Sequence, residues 1–63
     1  MINYIYELCK EHGCAVELHI GVDGAMSITV YGKRIDHIII GVNWSEDNVK
    51  DCINDVIRRA CYD

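Results

Sequence analysis

Four carboxylates, Glu46, Asp47, Asp51 and Asp55, crowd the last third of this chain, and Asp47, Asp51 and Asp55 recur at every fourth position. On a helix that spacing puts three of them on one line, each step rising about 6 Å. Phosphates along one strand of a duplex advance by about 3.4 Å. The stripe is therefore too sparse to copy a nucleic-acid backbone phosphate by phosphate. What it can do is present a broad negative patch to a basic groove. The plainer reading is a solvated helix face whose early acids complement the helix dipole.

The other chemistry-bearing side chains are thiols and imidazoles. Cys9, His12 and Cys14 lie close in sequence, but the spacing matches no usual pair of zinc-ligand pairs, and a fourth ligand would have to come from elsewhere. Cys9, Cys52 and Cys61 fall on apolar helix faces, where a free thiol behaves as a small hydrophobe. Reduced core thiols are therefore expected, with no metal and no cofactor; a disulfide or redox pair is the alternative. Cys14, just past Gly13, looks the most exposed of the four. His12 beside it could serve as a base, yet a helix-ending turn explains both residues without chemistry. There is no Gly-rich phosphate loop, no HExxH pattern and no nucleophile motif, so the expectation is that the chain is not an enzyme.

The elements that position these residues follow from hydrophobic period. A first helix is expected over 3–12, with Asn3 as N-cap and Ile5, Leu8, Cys9 and His12 on one buried stripe. Gly13 supplies the left-handed residue that ends it. Over 15–22 the period becomes two, with Val16, Leu18, Ile20 and Val22 on one side, and Asp23-Gly24 marks a turn. Met26, Ile28 and Val30 define a second strand, Gly32-Lys33-Arg34 a second turn, and 35–42 a third strand with Ile38, Ile40 and Val42 facing inwards. An odd-length first turn opposes Val22 to Met26, Ile20 to Ile28 and Leu18 to Val30. The same parity at the second opposes Ile28 to Ile38 and Met26 to Ile40. The last helix opens at Ser45 as N-cap, with Trp44 and Val49 as a hydrophobic staple. Its apolar stripe is Val49, Cys52, Ile53, Val56, Ile57, Ala60 and Cys61.

The predicted fold is thus α+β, α-β-β-β-α, one domain over 1–63: a three-stranded antiparallel meander in the order 1-2-3 with both helices on one face. Its outer face should carry His19, Thr29 and His37 in one row, Glu17, Tyr31 and Ile35 in the next, and Ser27 and Ile39 beyond. Tyr31, Ile35 and Ile39 make that face more apolar than a solvated sheet needs, which points to a partner or to a homodimer. His19 and His37, on the order of 10 Å apart, are too distant to share one metal.

Composition narrows the partners. A chain of 63 residues with six Lys and Arg against ten Asp and Glu has a net charge of −4, which disfavours direct contact with nucleic acid or anionic membranes. The apolar opening residues lack a basic leader and are soon interrupted by Glu7, so no signal peptide or membrane span is expected and the location predicted is cytoplasmic.

The helix–strand–strand–strand–helix order resembles the double-stranded RNA-binding domain. The stretch Ser27-Ile28-Thr29-Val30-Tyr31-Gly32-Lys33 is similar to its second strand and turn, and 52–60 to its final helix. That family grips phosphate with lysines at the start of the last helix. Here Glu46, Asp47 and Asp51 stand there with Lys50 alone, so the resemblance implies the topology and not the RNA function. The chain also resembles small phage and prophage inhibitors of Cas9 (anti-CRISPR proteins), acidic proteins with the same order of elements. The likeness lies in a short first helix, the strand beginning Ala15-Val16-Glu17-Leu18, and the acidic opening at 45–51. The acidic C-terminal segment of those inhibitors has no counterpart in these residues. This resemblance implies a non-enzymatic inhibitor that presents acids to a basic, nucleic-acid-binding host enzyme such as a CRISPR effector, in the host cytoplasm. Two other classes stay open: a homo-oligomeric scaffold associating through the sheet face, and, disfavoured by charge, a nucleic-acid binder.

Overall fold

The computed structural model describes residues 2–62. Helix α1 spans Ile2–His12, strands β1, β2 and β3 span Ala15–Ile20, Met26–Tyr31 and Ile35–Ile40, and helix α2 spans Glu46–Cys61. The strands form an antiparallel sheet in the order β1-β2-β3. Both helices pack on the same face, α1 against β1 and α2 against β3 and β2. Ile5 and Cys9 of α1, Ile28, Val30 and Ile40 of the sheet, and Val49, Ile53, Val56, Ile57, Ala60 and Cys61 of α2 make one core.

Local signals act where the sequence places them. Gly13 sits at φ 70°, the left-handed conformation that ends α1 with little strain only for glycine. Ser45 is extended at φ −68°, ψ 156°, and its Oγ accepts the Asn48 N–H at 3.2 Å, a cap that stabilises by about 1 kcal/mol. Asn3, in contrast, lies inside α1, which starts one residue earlier, and is not its cap.

The first turn differs from expectation. Ile20 pairs with Met26, Leu18 with Ile28 and Val16 with Val30, a register two residues away from the one predicted. Residues 21–25 form the turn: Gly21 N–H donates to Ala25 O at 2.8 Å, and Asp23 Oδ1 accepts the Ala25 N–H at 3.0 Å beside Gly24 at φ 88°. Because this longer turn is also odd, the pleat keeps the same residues on the core side. Three expected core residues are lost, two of them at this turn. Val22 lies in the turn and is fully exposed, and Ile20 ends β1 at a corner that neither helix covers. Val42 is also exposed, since β3 stops at Ile40; its Cγ1 lies 2.9 Å from where a Cβ on Gly24 would stand.

The second turn has the predicted register, Ile28 opposite Ile38 and Met26 opposite Ile40. It also docks on the end of α2. Arg34 N–H donates to Ala60 O at 2.9 Å, satisfying a carbonyl that the helix end leaves without a partner. Arg59 Nε donates to Asp36 Oδ2 at 2.5 Å, and His37 N–H donates to Asp36 Oδ1. The Arg59 bond, then that backbone N–H, hold the Asp36 carboxyl below its usual range.

Candidate functional site

The acidic stripe is exposed along its length, but its members are not equivalent. Glu46 meets Lys50 Nζ at 3.3 Å, and that ammonium also lies 5.1 Å from the Tyr4 ring centroid. Arg58 Nη2 donates to Asp55 Oδ1 at 3.0 Å. Both pairs follow from i,i+4 and i,i+3 spacing on a helix. Asp47 and Asp51 form no ion pair among the described residues. The negative patch is therefore narrower than the sequence alone implies and centres on the first two turns of α2. Lys50, the one cation there, is turned to Glu46 and Tyr4.

The same two turns carry a feature that sequence reasoning assigned only a structural part. Trp44 is 44% exposed, while Val49, its expected staple partner, is buried. Its indole edge rests on the backbone at Gly41, where a Cβ would come within 3.0 Å of Nε1 and 3.2 Å of Cδ1. Trp44, Asn43, Ser45, Asn48, Asp51 and Cys52 line an open groove of about 560 Å³. No periodic signal marks it, because Trp44 precedes the N-cap Ser45 and its place is set by the contact with Gly41.

On the outer sheet face the shifted register corrects the rows. Glu17 stands beside Thr29 and His37, His19 beside Ser27 and Ile39, and Ala15 beside Tyr31 and Ile35. Its polar groups satisfy one another along diagonals between strands and along β1 itself. The Tyr31 hydroxyl donates to Glu17 Oε1, and that carboxylate acceptor raises the Tyr31 pKa. Ser27 Oγ and His37 Nε2 are hydrogen-bonded at 2.7 Å, and His19 Nε2 lies 3.7 Å from Glu17 Oε2. The two histidines thus belong to separate contacts. Ile35 and Ile39 stay exposed on this face.

The four cysteines are free thiols. Cys14, expected to be the exposed one, is half-buried; its thiol points at Cys9 O at 3.8 Å and interacts with the Cys9 and Cys61 side chains. Burial pushes all three thiols up, Cys61 to about 11, which keeps them protonated and weakly nucleophilic. His12 Nδ1 is hydrogen-bonded to the Tyr62 hydroxyl at 2.6 Å, joining the ends of the two helices instead of serving Cys14. Among the described residues no group of three or more His, Cys, Asp or Glu side chains is arranged to hold a metal ion.

No family model, curated protein or solved structure matches this chain. No described helix is long and apolar enough to cross a membrane.

Proposed function

We propose that the chain is a non-enzymatic protein-binding module that engages a basic partner through the first two turns of α2. The observation that carries this reading is the pair of exposed carboxylates, Asp47 and Asp51, without a counter-charge among the described residues and next to a half-exposed tryptophan. Tryptophan is enriched among interface anchors, and uncompensated surface carboxylates add electrostatic complementarity to a basic partner. A nucleic-acid-handling enzyme supplies the matching basic surface. The layout shared with Cas9 inhibitors makes a CRISPR effector the first purified partner to try, with the chain acting as a phage-encoded inhibitor. Duplex RNA is the wrong counterpart, because Lys50 is tied to Glu46 and the neighbouring acids repel phosphate.

Immobilised chain is expected to retain basic proteins from a nuclease-treated cytosolic extract at about 0.1 M salt and to release them towards about 1 M, as the screening length falls from about 10 to 3 Å. A doubly reversed variant, Asp47→Lys with Asp51→Lys, should retain none of them. Identical capture by both chains would refute this role for α2.

A second reading has its own support. Ile35 and Ile39, 71% and 61% exposed, lie on the outer face of β3, which is an edge strand of the sheet. An exposed apolar edge favours self-association. On this reading the chain runs as a dimer by light scattering and Ile39→Asp returns it to monomer mass; a monomeric wild type at high concentration removes it.

A further inference from the structure

The groove beside Trp44 has a chemical bias that the acidic patch as a whole does not. One wall is an indole, held in place because its edge rests on Gly41. Another is the carboxylate of Asp51, and the side-chain amides of Asn43 and Asn48 add carbonyl oxygens that can accept hydrogen bonds. The nearest cation, Lys50, is committed to Glu46 and to the Tyr4 ring. The positive end of the helix dipole does not cancel Asp51 either. That field fades within the first turn, and Asp51 stands beyond it, while the Asn48 N–H in the first turn is already taken by Ser45 Oγ.

We infer that this groove takes one arginine side chain of a partner protein, its guanidinium stacked on the Trp44 indole and hydrogen-bonded to Asp51. The inference rests on the binding role proposed above and names the group recognised. Arginine fits better than lysine because a guanidinium is planar, so it stacks on an aromatic face, and its paired N–H groups match a carboxylate. A phosphate-bearing ligand is repelled by Asp51 and by Asp47 nearby. An uncharged apolar side chain would leave the Asp51 carboxylate without a counter-charge.

The chain has a single tryptophan, so its emission reports on this groove without a label. Titration with N-acetylarginine amide is expected to give a saturable change in Trp44 emission. The neutral isostere N-acetylcitrulline amide should bind at least about tenfold more weakly, the loss of one charge-assisted contact. Asp51→Asn should show the same loss for the arginine compound, with an unchanged helical circular dichroism spectrum and Tm. Glu11→Gln, exposed on α1 and outside both the groove lining and the acidic stripe, should bind it as the wild type does. Amide shifts of Asn48 and Cys52 on titration provide a second readout. Equal responses to arginine and citrulline, an unaffected Asp51→Asn, or a linear unsaturable response would each overturn the inference. An emission shift that depends on protein concentration with no ligand added would overturn it too, because the occupant would then be a second copy of the chain. If the arginine response is absent while salt-sensitive capture by wild type persists, the groove assignment falls and the binding role of α2 stands.

Discussion

Gly32→Ala is expected to destabilise the domain by about 2–4 kcal/mol, although it adds a single methyl group on a surface turn. The reason is not backbone conformation, since among the described residues positive φ is confined to Gly13 and Gly24. It is the closeness of α2. A Cβ at position 32 would stand 2.6 Å from the Ala60 carbonyl oxygen, 3.0 Å from its carbon and 2.9 Å from Cys61 Sγ. Two of those three atoms are backbone and cannot rotate away. The turn must lift off, which overpacks the contact at about 1–3 kcal/mol and breaks the Arg34 N–H to Ala60 O hydrogen bond at about 1 kcal/mol more. Two controls separate this cause from others. Lys33→Ala, exposed in the same turn, should stay within about 0.5 kcal/mol of wild type. Gly13→Ala meets nothing within 4 Å, and its cost of about 1 kcal/mol should come from the φ of 70° alone. Urea denaturation measures all three. A Gly32→Ala variant as stable as Lys33→Ala would show that turn and helix are not in contact.

Ile53→Ala is expected to be more damaging still. Ile53 is fully buried in the middle of α2, where the core of both helices and the sheet converges. Removing its branched chain costs about 2–5 kcal/mol in lost burial and cavity. For 63 residues the whole stability is roughly 3–9 kcal/mol, so this one substitution consumes a large share of it. A fall in Tm of at least about 8 °C follows, at about 4–8 °C per kcal/mol for a domain this small. Ile39→Ala, the same change at an exposed position, should scarcely move Tm. If the two variants melt together, the assignment of faces in the sheet is wrong.

Most of the architecture was legible because it depends on parity and on single-residue signals. Gly13 and Ser45 each act through a local backbone requirement that no tertiary context alters, and both sit where the pattern places them. The alternation of Ile28, Val30 and Ile40 selects the core side of the sheet whatever the turn length, provided it is odd. What alternation cannot give is where a strand stops. Val22 and Val42 continue the pattern perfectly and yet lie outside the strands, because Gly21 and Gly41 end the pairing first. That misjudged turn displaced His19 from Thr29 to Ser27 and rearranged the rows of the outer face. In the acidic stripe, the Glu46–Lys50 and Asp55–Arg58 pairs were readable from spacing, whereas the Trp44 groove depends on an indole settling against a glycine three residues earlier, a contact with no periodic signature.

The odd turn at 21–25 also bears on how such a chain can change over time. Losing or gaining two residues there keeps every strand side chain on its own side, whereas losing or gaining one turns β1 inside out and throws Val16 and Leu18 into water. Drift in that segment is therefore quantised: length variants should come in steps of two, and the tip, already carrying a fully solvated valine, is where the fold can best accommodate them.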